Sequence, residues 1–79
     1  MEVRFTKSAR KHRIGRAHAL HVISTVEPTE VPADEIYPLR RVYVGPDDRG
    51  VGLEIVAIVE ADSLIVIHVM PANYRRRNR

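Results

Sequence analysis

The sequence predicts a single α+β domain over residues 1–79, with an antiparallel sheet of three to four strands and two short helices packed on one face of it. Two observations lead to this fold class. Two runs rich in valine and isoleucine lie within residues 53–70 and are separated by the short polar break Glu60–Ser63, as in a β-hairpin. Residues 16–26 carry apolar side chains at helical spacing. A chain of 79 residues supports one modest core.

The first third of the chain predicts a strand and the two helices. Val3–Phe5 alternates and is typical of a short edge strand. Lys7–Arg13 favours a first helix, with Thr6 or Ser8 as its N-cap, and Gly15 ends it. A second helix is expected over Arg16–Thr25. Its apolar stripe is formed by Ala19, Leu20, Val22, Ile23 and Val26.

The remainder predicts a loop, three strands and a tail. Residues 27–38 hold three prolines and four acids, and prolines disfavour regular structure, so this segment is expected to be a long loop. Arg40–Val44 alternates as a strand, and residues 45–50 have turn chemistry. The hairpin follows as the sheet core, because its strands are apolar on both faces. Pro71 ends the last strand, which leaves 72–79 as a basic tail.

Charge is segregated along the chain, whose net charge is +3. Residues 1–21 carry six basic side chains and one acid, residues 22–39 carry four acids and no lysine or arginine, and the last five residues include four arginines. Basic ends favour a polyanionic partner, and the alternative is an ordinary solvated surface. The absence of cysteine excludes disulfides and thiolate chemistry. With no secretory leader and no apolar run of spanning length, a cytoplasmic location is expected.

The sequence contains no recognisable enzyme motif and only a weak candidate for a metal site. His18 and His21 lie three residues apart on the second helix, but two imidazoles without a third ligand make a weak metal site, so neither a metal nor another cofactor is expected. The chain has no Ser/His/Asp arrangement and no glycine-rich phosphate loop. Glu54 and Glu60 are expected to face solvent or arginine partners.

Metal-independent RNA cleavage is the chemistry that the remaining residues support. It requires a group that moves a proton and cations that stabilise charge on the phosphate, which histidine, arginine, lysine and tyrosine supply. The catalytic candidates are His12, His68, Arg75 and Arg76. The RNA-binding candidates are Arg10, Lys11, Arg49, Tyr74 and Arg77. Each also has a structural interpretation: His12 as a satisfied helix residue, His68 as a buried histidine bonded within the sheet, and the arginine tail as a solubilising end.

The segment from Phe5 to Gly15, with Ala9-Arg10-Lys11-His12 followed by Ile14, resembles the opening of BrnT-like toxins. In that family a Lys-His-Gly-hydrophobic turn joins two short helices. The later order of strand, turn, Val/Ile hairpin and arginine-rich end is also similar, so the resemblance covers most of the chain outside the proline-rich loop. It implies a RelE-like fold, ribonuclease toxicity that inhibits translation and growth, and a cognate antitoxin.

Two positions depart from the family pattern. Arg13 stands where the family turn has glycine, the residue that adopts positive φ without a Cβ clash. The last strand of the family commonly ends in a Ser-Ala-Arg type run, and here the matching residues are Val69-Met70-Pro71. Either Arg75 or Arg76 then replaces the lost arginine, or His68 takes over its chemistry, or this relative is inactive.

Three functions follow from these observations. The first is a ribonuclease toxin of a type II toxin–antitoxin pair that acts on messenger RNA, free or on the ribosome. The second is a non-catalytic nucleic-acid-binding module. The third is a protein-interaction subunit bound to an antitoxin-like partner. The expected assemblies are a homodimer or a toxin–antitoxin hetero-oligomer.

Overall fold

A computed structural model describes residues 1–73 and shows five strands, one α-helix and one 3-10 turn. In chain order these are β1 Glu2–Phe5, the 3-10 turn Ser8–Arg10, α1 Arg16–Thr25, β2 Thr29–Val31, β3 Arg40–Pro46, β4 Gly52–Glu60 and β5 Ser63–Pro71. The strands form one sheet in the order β1-β5-β4-β3-β2. The α+β class is confirmed. The predicted pair of helices and the count of three to four strands are wrong.

The β4–β5 hairpin is the centre of the sheet, as predicted. It pairs from Leu53↔Pro71 to Glu60↔Ser63. The face toward α1, here called the inner face, carries the buried side chains of both strands. These are Leu53, Ile55, Ala57, Leu64, Val66 and Val69. The opposite outer face carries Val56, Ile58 and Ile65, which are only half-buried because no helix of the described residues covers them.

β1 makes the sheet mixed rather than antiparallel. It pairs in parallel with β5, from Glu2↔Ser63 to Phe5↔Val66. Val3 and Phe5 then face inward and pack against the core, whereas Glu2 and Arg4 face outward. The predicted edge position of this strand is confirmed. Its partner lies some 60 residues away in the sequence, and local patterns carry no information about such a pairing.

The predicted first helix over Lys7–Arg13 is only a 3-10 turn. Its backbone bonds join residues three apart, from Ala9 N to Thr6 O (3.1 Å) through Lys11 N to Ser8 O (3.2 Å). Seven residues with one buried apolar side chain, Ala9, bury too little surface to hold a longer helix. Arg13 then adopts φ 57°, the only positive φ of a non-glycine residue in the described chain, and this turns the backbone so that Ile14 packs on the core.

Helix α1 has the predicted bounds and packs on the inner face through Ala19 and Val22, which are fully buried. Ile23 and Val26 pack beside them, but Leu20, which was placed in the apolar stripe, is 38% exposed. Gly45 of β3 allows the close approach of the helix end, because a Cβ at this position would lie 2.5 Å from Cγ2 of Val26.

The proline-rich segment 27–38 is not wholly a loop, because it contains β2. Residues 29–31 pair antiparallel with β3, from Thr29↔Val42 to Val31↔Arg40. Pro28 and Pro32 bracket the strand and limit it to three residues, which suits a sheet edge. Later in the segment the Asp34 carboxylate accepts hydrogen bonds from the amides of Ile36 and Tyr37, and these lower its pKa.

Across residues 1–73 there is no helix with both the length and the apolar character needed to cross a bilayer.

Candidate active site

A β-bulge decides which face His68 takes. Val56 pairs with His68 while Ala57 pairs with Val66, so Ile67 is the extra residue in β5. Strict alternation from the inward Val66 would point His68 into the core. Because of the extra residue, the His68 side chain instead lies on the outer face, on the same side of the sheet as its partner Val56. The interpretation of His68 as a buried histidine bonded within the sheet fits in part, because its Nε2 is buried and lies 3.5 Å from Oε2 of Glu54 in β4, whereas 33% of its side chain is exposed.

The 3-10 turn brings His12 to the same place. Thr6 fixes the start of the turn against β5, because its amide and its hydroxyl both donate to Val66 O at 3.0 Å. Its hydroxyl oxygen also accepts the amide of Ala9 at 3.3 Å. With the turn docked in this way, the rings of His12 and His68 meet edge to face, with 6.4 Å between centroids and an interplanar angle of 78°.

Glu54 of β4 completes a group of three titratable side chains, named here the His–His–Glu cluster. Its Oε2 lies 3.5 Å from Nε2 of His68, and its side chain is 14% exposed. The expectation that Glu54 faces solvent is wrong, because its side chain is mostly buried beside an imidazole. Two neighbouring imidazoles beside a carboxylate are the residue types that general acid–base catalysis most often uses.

The other predicted site residues divide into three groups. Arg10 and Lys11 are exposed and directly precede His12. Arg49 lies in the β3–β4 turn, where its Nε and Nη2 donate to Oδ2 of Asp47 at 3.0 and 2.7 Å. Because its guanidinium is already paired in this way, the structure does not add support to its predicted role as an RNA contact. Tyr74, Arg75, Arg76 and Arg77 lie outside the described residues.

Asp47 organises the β3–β4 turn. Its side chain is fully buried, and its Oδ1 accepts the amides of Arg49 at 2.7 Å and Val51 at 3.0 Å. Burial acts to raise the pKa of Asp47, but the hydrogen bonds from the Arg49 side chain and from these amides outweigh it and lower the pKa to about 2. The carboxylate is therefore a structural anion that closes the turn.

The adjacent Asp48 fastens this turn to α1 through His18. His18 Nδ1 and Asp48 Oδ1 are 2.6 Å apart, and this hydrogen bond lowers the pKa of Asp48. Ligand atoms of His18, Asp47 and Asp48 lie within 4.8 Å of one another. Both carboxylate oxygens of Asp47 already accept hydrogen bonds from the turn, so the three side chains fit a structural hydrogen-bond network better than a metal site. His21 does not belong to this group.

A basic cavity of about 430 Å³ lies beside β1, and sequence reasoning missed it. It is lined by Glu2, Val3, Arg4, Phe5, Arg10 and Arg16. The guanidinium carbon of Arg16 lies 5.1 Å from the centre of the Phe5 ring, and Arg4 Nε contacts Glu2 Oε2 at 3.3 Å. The excess of basic residues in residues 1–21 was the available sequence signal, but the contact between strand and helix that gathers them is tertiary.

Comparisons with known proteins add no relative, since no protein-family model, no curated protein and no solved structure matches this chain.

Proposed function

We propose that the protein is a metal-independent endoribonuclease whose acid and base are His68 and His12. One observation supports this proposal most strongly. The bulge in β5 and the 3-10 turn bring the two imidazoles into contact on the outer side of the sheet, with the Glu54 carboxylate 3.5 Å from His68. Two adjacent groups that exchange protons near neutral pH are what cleavage through the RNA 2′-hydroxyl requires.

The proposed reaction is an internal transesterification. His12 accepts the proton of the 2′-hydroxyl, the 2′-oxygen forms a bond to phosphorus, and the bond from phosphorus to the 5′-oxygen breaks. His68 donates its proton to that leaving oxygen, so the products are a 2′,3′-cyclic phosphate and a 5′-hydroxyl. Glu54 supports His68 as the acid, because their contact is an ion pair whenever the imidazole is protonated.

Cationic side chains stabilise the negative charge that develops on the phosphate in this proposal. Arg10 and Lys11 are exposed immediately before His12 and suit binding of the RNA strand. Arg75 and Arg76 are proposed to act on the reacting phosphate, and Tyr74 and Arg77 to contact neighbouring nucleotides. These four roles are supported by residue type and by position shortly after β5.

The biological role proposed here is that of a type II toxin that acts on RNA in the cytoplasm and is neutralised by a cognate antitoxin. Its support is the resemblance of residues 5–15 to BrnT-like toxins. Arg13 gives specific support, because its φ of 57° is the conformation that the family glycine adopts readily.

The test is inducible expression in a bacterial host, with growth and total RNA followed together. The wild-type protein is expected to arrest growth and degrade RNA, and His12→Ala and His68→Gln are expected to remove both effects. His21→Gln is the matched control, because His21 is an exposed imidazole on α1 outside the cluster. Thermal unfolding of each purified variant separates lost chemistry from lost structure. Normal growth with intact RNA under wild-type expression would exclude the nuclease.

A non-catalytic nucleic-acid-binding role is the second candidate, and the basic cavity beside β1 favours it. It predicts binding that weakens steeply with salt and leaves RNA intact. The same expression experiment distinguishes the two functions, because only the nuclease requires the His–His–Glu cluster.

A further inference from the structure

We infer that the basic cavity beside β1 is a binding site for a backbone phosphate of a single nucleic-acid strand. That this strand is the RNA to be cleaved rests on the proposed function. The charge of the lining is the first argument. Three arginines and one glutamate surround the space, and only Arg4 is paired, in an exposed contact with Glu2. Within residues 1–73 no ion pair involves Arg10 or Arg16.

The open edge of β1 supplies further donors to the same space. The amides of Glu2 and Thr6 donate toward β5, to Asp62 O at 2.9 Å and Val66 O at 3.0 Å. Because amides alternate in direction along a strand, those of Val3 and Phe5 point away from β5, toward the free edge. Both residues line the cavity. Outward amides beside guanidinium groups bind phosphate oxygens well.

The start of α1 strengthens the positive field. Arg16 is the first residue of the helix, Gly15 at the N-cap position provides no side-chain cap, and the first turn contains no acid. The positive end of the helix dipole therefore lies at the cavity without compensation from an acidic side chain. Arg16 is also held over the Phe5 ring, which fixes its guanidinium and covers the ring face that a base would stack on. The site therefore favours phosphate over a nucleobase.

The position of the cavity along the chain suits a substrate strand. Arg10, which lines the cavity, precedes His12 of the His–His–Glu cluster by two residues, so the chain leads directly from the cavity lining to the cluster. At the opposite edge of the sheet Arg41 is paired, because it contacts Glu30 at 3.3 Å. This asymmetry provides a matched control arginine.

The test measures binding of a single-stranded oligodeoxynucleotide by fluorescence anisotropy over a range of salt concentrations. A strand without 2′-hydroxyls cannot undergo the proposed cleavage, so binding is measured independently of catalysis. Each phosphate contact of a single strand contributes about 0.7 to the slope of log affinity against log salt. Arg10→Gln and Arg16→Gln are each expected to lower the slope by about that amount. Arg16→Lys, which keeps the charge, and Arg41→Gln are expected to keep the wild-type slope.

Two results would overturn the inference: no binding by the wild-type protein at low salt, or equal slopes for Arg10→Gln, Arg16→Gln and Arg41→Gln. Failure of the inference is distinguishable from failure of the proposed function. If the protein cleaves RNA but the Arg10→Gln and Arg16→Gln variants keep the wild-type salt slope, only the inferred phosphate site in the cavity is overturned. Slopes that fall as expected, in a protein that leaves RNA intact, overturn only the nuclease.

Discussion

Gly45→Ala tests the close packing of the C-terminal end of α1 against β3. An added Cβ would lie 2.5 Å from Cγ2 of Val26, whereas carbon atoms in contact normally lie about 3.5–4.0 Å apart. Relief by rotation is restricted, because valine is β-branched and the Val26 amide is bound to Val22 O at 2.9 Å. We expect overpacking to cost about 1–3 kcal/mol of unfolding free energy, and a domain of this size loses about 4–8 °C in Tm per kcal/mol.

The assay is urea unfolding of a double-mutant cycle with Val26→Ala. Val26→Ala alone should destabilise the protein, because Val26 packs against the core. In the double variant the smaller side chain removes the clash, so the two changes should couple favourably by more than about 0.5 kcal/mol. Strictly additive effects, or a neutral Gly45→Ala, would refute the proposed contact between β3 and the end of α1.

Two further predictions concern the turns. Arg13→Gly should raise the unfolding free energy by about 0.5 kcal/mol, because relief of the positive-φ strain outweighs the entropy that a glycine loses on folding. Gly50→Ala, at φ 81°, should lower the unfolding free energy. Chemical denaturation measures both changes, and a less stable Arg13→Gly variant would contradict the reasoning. The pKa of Asp47 falls from 3.8 to about 2 on folding, so its stabilisation is complete at neutral pH and is lost as pH falls through this range. Asp47→Asn should lower the unfolding free energy at neutral pH and make it depend less on pH between 4 and 2. The measurement is urea unfolding at several pH values, and a pH dependence equal to that of the wild-type protein would count against the turn network.

The sequence predicted those parts of the fold that depend on local pattern. The hairpin and α1 were predictable because dense β-branched runs and helical apolar spacing act over a few residues. The short strand β2 was missed, because its prolines masked a strand whose stability comes from pairing with β3. The 3-10 turn was mistaken for a helix, because its residues suit a helix but bury only Ala9.

The candidate site was predictable in residue type but not in geometry. His12 and His68 were singled out as chemically unusual, and the structure brings them into contact. The face taken by His68 depends on the bulge at Ile67, which a continuous apolar run does not reveal. Glu54 joins the cluster only through the register between β4 and β5. Such long-range pairings decide the site, and short-range periodicity does not encode them.

The most direct test of the proposed function is the fate of a defined RNA incubated with the purified protein in the presence of a chelator. The prediction is cleavage to fragments that end in a 2′,3′-cyclic phosphate, with a 2′-O-methyl version of the same strand left intact. His12→Ala and His68→Gln should each slow this cleavage by about 10²–10⁴-fold while His21→Gln does not. Intact RNA with the wild-type protein, or cleavage that persists in both cluster variants, would contradict the account.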